Sequence, residues 1–196
     1  MGASRRGSLR ITGGALRGRL LRAPAGGARP TAERVREALF ARLGDLEGAA
    51  VIDLYAGSGA LGIEALSRGA GSVLFVERAP ASLRALRRNL ADLELGLRTR
   101  VRAGDVPRVV RGLARERPLF DLALLDPPYA SGDAARALEA LAEAGILAPG
   151  ATLVVERGWR HPVPRVAGFA VRDERRYGDT VIERLVCEAG GDPGVR

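Results

Sequence analysis

The sequence predicts an α/β protein built on a doubly wound, mostly parallel sheet, and three observations predict it. Short apolar runs alternate with segments of helical periodicity along most of the chain. The run Leu122-Ala123-Leu124-Leu125 is apolar without a break, as in a parallel strand covered on both faces. Asp53, Gly57, Glu77, Asp105 and Asp126 all fall at or just after expected strand ends, the edge where such sheets bind their ligands.

The elements follow in order. Ser8 to Pro24 reads as a β-hairpin, with Leu9 and Ile11 alternating with Arg10 and Thr12 and with Gly13-Gly14 as a turn signal. Ala25 to Ala28 reads as a loop, and Arg29-Pro30-Thr31 opens a helix with Thr31 as N-cap. Its apolar stripe is Val35, Ala38, Leu39 and Leu43, with Phe40 beside it; Arg34 and Arg36 are expected away from the stripe. A strand over Ala50 to Ala56 runs into the glycine-rich turn Gly57 to Gly62, then a helix from Ala60 to about Arg68. Ser72 to Glu77 is a strand, and Ala81 to Leu93 a helix with Leu83, Leu86, Leu90 and Leu93 on one face. Arg98 to Ala103 is a short strand, and Val106 to Arg115 a helix that tolerates Pro107 in its first turn. After the strand that opens at Phe120 come a helix over Gly132 to Gly145 and a strand over Ala151 to Glu156. Gly168 to Tyr177 and Thr180 to Cys187 form a closing hairpin about Gly178-Asp179, and the tail from Ala189 to Arg196 is expected to be disordered.

At 196 residues and 46% hydrophobic the chain suits one domain with a small extension. No apolar run approaches the roughly 20 residues of a membrane span. With only Cys187 and His161, the sequence offers neither a disulfide nor a metal cluster, which fits a reducing cytoplasm. The net charge is +8 and every basic residue is arginine. Residues 1–45 carry ten arginines against Glu33, Glu37 and Asp45, whereas residues 46–196 are nearly balanced. A basic segment on a neutral body suits a polyanionic partner, a solvated basic tail being the alternative. Arg10, Arg17, Arg19 and Arg22 of the hairpin, with Arg34 and Arg36 of the helix, are the candidate contacts. The expected organisation is a basic, RNA-contacting hairpin and helix over 1–45, a ligand-binding domain over 46–188 and the tail 189–196.

Two stretches carry chemistry. Gly57, Gly59 and Gly62 match G-x-G-x-x-G, and Glu77 lies 20 positions after Gly57, as in nucleoside-cofactor sites where an acid accepts ribose hydroxyls. That fingerprint alone fits a nicotinamide dinucleotide as well as S-adenosylmethionine. Asp53 argues for the second, because a carboxylate there suits an ammonium or sulfonium and not a pyrophosphate; its other reading is a brace for the glycine loop. The second stretch is Asp126-Pro127-Pro128-Tyr129. Each proline holds the residue before it extended and contributes a carbonyl but no N–H, so the strand ends in a stiff corner rich in acceptors, with an aromatic ring beside it. Such a corner suits an exocyclic amine of a nucleobase; the plainer reading is a tight turn.

Asp53-Leu54-Tyr55-Ala56-Gly57-Ser58-Gly59 and Asp126-Pro127-Pro128-Tyr129 resemble the cofactor and catalytic motifs of class I S-adenosylmethionine-dependent amino-methyltransferases. Together with Arg29 to Glu37, Leu61 to Ala70 and Tyr177-Gly178-Asp179-Thr180, they resemble the bacterial small-subunit 16S rRNA guanine-N2 methyltransferase family, from about Arg10 to Leu185. The resemblance implies a seven-stranded Rossmann-like sheet and S-adenosylmethionine as cofactor. It implies that Asp53 and the loop Gly57, Ser58 and Gly59 hold the methionyl part, Glu77 the ribose hydroxyls and Asp105 the adenine amine, with Tyr55, Ala56, Arg78 and Val106 also among the cofactor-binding residues. It implies that Asp126 and the Pro127 carbonyl accept hydrogens from guanine N2, that Pro128 stiffens the corner, and that Tyr129 stacks on the base. The implied partner is 16S rRNA, within a small-subunit particle, with a monomeric, metal-free enzyme. Adenine-N6 methylation, protein-glutamine methylation (which favours Asn where Asp126 stands) and a non-catalytic RNA-binding assembly factor are the other readings.

Overall fold

The computed structural model describes residues 8–23, 30–128 and 132–188. The expected loop Ala25 to Ala28, Arg29, Tyr129 and the tail from Ala189 lie outside the described residues.

The chain divides into two compact units, 1–104 and 105–196. In the first, β1 (Ser8–Arg10) and β2 (Leu20–Arg22) pair antiparallel and α1 spans Pro30–Leu43. Then come β3 (Ala50–Leu54), α2 (Ala60–Ser67), β4 (Ser72–Glu77), α3 (Pro80–Asp92) and β5 (Thr99–Ala103). β5, β4 and β3 lie side by side and parallel, Asp53 opposite Phe75 and Glu77 opposite Ala103. Val51, Ile52, Leu54, Val73, Phe75 and Val76 are buried, as expected of parallel strands covered on both faces.

The second unit holds α4 (Val106–Leu113), β6 (Phe120–Leu125), α5 (Asp133–Ala144), β7 (Leu147–Gly158), β8 (Phe169–Tyr177) and β9 (Thr180–Cys187). β6 and β7 are parallel, and β9 runs antiparallel between β7 and β8. β3 to β9 make up a seven-stranded, mostly parallel sheet flanked by helices. No helix among the described residues is long and apolar enough to cross a membrane.

Several boundaries differ from expectation for identifiable reasons. β3 stops at Leu54, before Ala56, because Tyr55 turns into the left-handed region at φ 61°. α1 begins at Pro30, so Thr31 lies inside the helix and is not its N-cap; proline is well suited to a first helical position. β7 begins four residues before the expected Ala151, with a shift of register against β6 between Phe120 and Leu122.

The hairpin is part of the first unit and not an appendage to it. Ile11 and Leu21 are each 1% exposed. The Thr12 N–H and hydroxyl and the Gly13 N–H all donate to the carboxylate of Glu64 on α2, at 2.7–2.9 Å. Arg36 and Arg68 donate to the same carboxylate, and the Arg36 guanidinium also reaches the Arg10 carbonyl. Burial pushes the Glu64 pKa up, but the Thr12 and Arg68 hydrogen bonds and the Arg36 charge outweigh it, so the net direction is down. Gly14 sits so close to α2 that a Cβ there would lie 1.7 Å from the Ser67 carbonyl oxygen. Arg36, expected away from the apolar stripe and free to reach RNA, is 5% exposed in this knot. A long arginine can cross an apolar face when a carboxylate waits behind it, and Glu64 is that carboxylate.

Candidate active site

In the first unit the site is built on the turn between β3 and α2. Gly57 and Gly59 adopt φ of 57° and 85°, which glycine reaches at little steric cost, and Tyr55 is held at φ 61° beside them. Left-handed backbone at an aromatic residue costs on the order of 1–3 kcal/mol and collects at functional sites. A Cβ on Gly59 would lie 2.5 Å from Leu86 Cδ1, whereas one on Gly57 would meet nothing nearer than 4.0 Å. Gly59 therefore serves packing, and Gly57 leaves open space on its outer side.

Two carboxylates hold this turn. Glu77, at the end of β4, accepts the Gly57 N–H at 2.7 Å through Oε2 and the Arg78 and Ala79 N–H groups at 2.7 Å through Oε1. Asp53 Oδ2 accepts the Gly62 N–H at 2.9 Å, capping α2 from the neighbouring strand because its N-cap, Gly59, has no side chain to do so. Asp53 Oδ1 is buried and has no hydrogen-bond partner among the described residues. Burial drives the Asp53 pKa up to about 7; the Gly62 bond opposes this and the Glu77 charge adds to it. Of the two sequence readings of Asp53, the brace is what Oδ2 does, and Oδ1 stands unsatisfied beside it. Ser58 is buried, and its carbonyl accepts from Asn89 of α3, which also bonds the Arg22 backbone of β2 in both directions. Asn89 was not anticipated; a buried asparagine amid the leucines of α3 was the available signal.

In the second unit Asp105 caps α4, its Oδ1 accepting the Arg108 N–H at 3.3 Å, and Val106 is buried in the first helical turn. β6 delivers Asp126 to its carboxyl end, exposed, with Pro127 buried and Pro128 exposed. Tyr129, the aromatic member of the motif, is outside the described residues. Behind the two prolines lies a pocket of about 270 Å³, walled by Asp133, Arg157, Arg160, His161 and Pro162 among others. Arg157 is 8% exposed and donates to Glu174 at 2.6 Å and to Glu183 at 3.2 Å. Asp133 pairs with Arg136 in the first turn of α5. None of these pocket residues was anticipated, because their partners sit on three separate elements.

The basic candidates divide. Arg17 and Arg34 are exposed and, with Arg10, line a groove of about 470 Å³ between the hairpin and α1, together with Glu33 and Glu37. Arg19 and Arg22 are exposed but bond Asp92 at the end of α3, through its carbonyl and its carboxylate, each at 3.2 Å. Arg36 belongs to the buried knot.

The glycine turn carried on a mostly parallel, seven-stranded sheet defines the Rossmann-like fold of class I methyltransferases. The chain belongs to the family described as conserved hypothetical protein 95, whose model matches residues 9–185. It is 35% identical to ribosomal RNA small subunit methyltransferase D of Escherichia coli K12, over 95% of this chain and 93% of that protein. The solved structure of yhhF from Escherichia coli superposes with a TM-score of 0.83 at 32% identity, covering 94% of this chain and all of the other. A more distant structure, SMU.776 complexed with SAH, shares the fold with a TM-score of 0.65 at 13% identity, over 81% of this chain and 50% of that one.

Proposed function

We propose that this protein transfers a methyl group from S-adenosylmethionine to the exocyclic N2 of a guanine in 16S rRNA, acting as a cytoplasmic monomer on a small-subunit particle. The observation that carries the proposal is an Asp126-Pro127-Pro128 corner at the end of β6 in a chain 35% identical to a small subunit rRNA methyltransferase over nearly its whole length.

The residues fit the cofactor. The unsatisfied, buried Asp53 Oδ1 suits its ammonium, the open side of Gly57 its methionyl chain, and Glu77 its ribose hydroxyls, which would compete for lone pairs now shared with backbone N–H groups. Asp105 is the candidate for the adenine amine. When bound, S-adenosylmethionine supplies an electrophilic methyl on a sulfonium. Asp126 and the Pro127 carbonyl accept the N2 hydrogens and turn the amine lone pair outward. Alignment supplies most of the catalysis, and the displaced proton leaves to water. The target base must leave its stack to reach such a corner. Arg10, Arg17 and Arg34, around the hairpin groove, meet phosphates.

The test is mass spectrometry of nucleosides from 16S rRNA of cells with and without the gene. The expected result is loss of one N2-methylguanine; loss of an N6-methyladenine would assign the alternative chemistry, and identical spectra would remove the rRNA reading.

A further inference from the structure

A second basic surface lies in the second unit, where the sequence as a whole is neutral. β7 ends at Gly158, and the turn beyond it is fixed by two backbone bonds, from the Trp159 N–H to the Asp179 carbonyl and from the His161 N–H to the Gly158 carbonyl, each 2.9 Å. Asp179 is the third residue of Tyr177-Gly178-Asp179-Thr180, which forms the tip of the β8–β9 hairpin. The turn leaves the Trp159 side chain 40% exposed, unusual for the one tryptophan of a chain. Two guanidiniums lie on its indole: Arg176 Cζ is 4.3 Å and Arg160 Cζ 4.9 Å from the ring centroid.

Three acids of the neighbouring strands are engaged by other arginines. Glu174 and Glu183 are taken by Arg157 and Arg165, and Asp173 by Arg184. Arg160 and Arg176 form no ion pair among the described residues, and Arg172 and Arg175 stand exposed on the same strand as Arg176. Two like charges gathered on one ring repel each other, and the cation–π attraction of about 0.5–1 kcal/mol at an exposed site holds them without neutralising them. Together with the bond from Arg176 Nε to the Gly178 carbonyl, 2.7 Å, it keeps two planar forks in place. Planar, pre-held guanidiniums suit phosphate oxygens, and an indole suits an unstacked base. Arg160 also lines the pocket behind Pro127 and Pro128.

We infer that Trp159, Arg160 and Arg176 form a second RNA-binding platform, which grips the phosphates and stacks an unpaired base of the strand feeding the Pro127–Pro128 pocket. The inference rests on the proposed rRNA reading and adds to it a contact separate from the N-terminal hairpin. Because Trp159 is the only tryptophan, its fluorescence reports on this platform alone. The experiment titrates the full chain with fluorescein-labelled single-stranded fragments of 16S rRNA, following label anisotropy for binding and Trp159 emission for contact. Trp159 emission is expected to be quenched in parallel with anisotropy, and S-adenosylmethionine alone should leave it unchanged. The double variant R160Q/R176Q, folded by circular dichroism, should bind about tenfold more weakly at moderate salt, with a slope against log salt shallower by about 1.4 for two lost phosphate contacts on a single strand. RNA that binds with Trp159 emission unmoved, or a double variant with wild-type affinity and slope, would overturn the platform while leaving the rRNA reading intact. Failure of the wild-type chain to bind any of these fragments would likewise overturn the platform, while the nucleoside spectra of 16S rRNA decide the rRNA reading separately.

Discussion

Replacing Asp53 with asparagine tests the most exacting feature of the cofactor loop. Asp53 is buried with its pKa raised from 3.8 to about 7. Between about pH 4 and pH 7 the folded chain therefore keeps a proton that the unfolded chain has lost. When the unfolded state binds fewer protons, stability falls as pH rises, and it levels off above about pH 7, once both states are ionised. At 1.36 kcal/mol per pH unit, the fall attributable to Asp53 is on the order of 4 kcal/mol. Asparagine retains an acceptor for the Gly62 N–H but cannot ionise. Urea unfolding of both cofactor-free proteins from pH 4 to pH 8 isolates this effect, since the other carboxylates titrate alike in the two and cancel in the difference. The stability of Asp53→Asn relative to the wild type should climb by that amount between pH 4 and pH 7 and stay level beyond. Parallel curves would refute the claim that an ionised Asp53 is uncompensated. Adding S-adenosylmethionine should flatten the wild-type fall and leave the variant unaffected, because a bound ammonium would supply the charge that Oδ1 lacks.

Three further outcomes are expected. Glu64→Ala strands Arg36 in the interior and frees the Thr12 and Gly13 amides, so urea unfolding should show a loss of about 3–5 kcal/mol. Gly59→Ala drives a Cβ into Leu86 at a φ of 85°, and thermal melting should show a loss of more than about 1–3 kcal/mol together with weaker S-adenosylmethionine binding by calorimetry. Asp126→Ala should abolish methyl transfer to 16S rRNA in a tritiated-methyl assay while calorimetric affinity for the cofactor stays the same; affinity lost in proportion to activity would reassign Asp126 to the cofactor.

The sheet was legible because its central strands are apolar and buried: β4 and β9 span the expected Ser72–Glu77 and Thr180–Cys187, and β6 stops at Leu125, just before the Asp-Pro-Pro corner. The glycine loop was legible because so few residues turn left-handed without strain, and its acids because they fall at strand ends. Tyr55 escaped the same reading, since an aromatic residue gives no warning that its neighbours will force φ positive. Arg36 was misread because a helix wheel treats arginine as solvent-facing, and the carboxylate that buries it stands 28 residues further on. The Trp159 platform was hidden by arithmetic: residues 46–196 balance in sum, yet Asp173, Glu174 and Glu183 are spent on Arg157, Arg165 and Arg184, and Arg160 and Arg176 pair with no acid among the described residues.

The tie between the hairpin and Glu64 also sets an order in time. Thr12 and Gly13 leave the ribosome more than fifty residues before Glu64, the carboxylate that satisfies their amides. Until α2 has been synthesised, the hairpin has its own few strand bonds and the contacts of Arg10 with Glu33 and Arg36 of α1, and an isolated two-stranded hairpin is marginal in water. The Thr12–Gly13 turn is thus fixed only once α2 has followed it. The basic residues of the hairpin therefore reach their final place only after α2 is made, beside a ribosome that is itself built of ribosomal RNA.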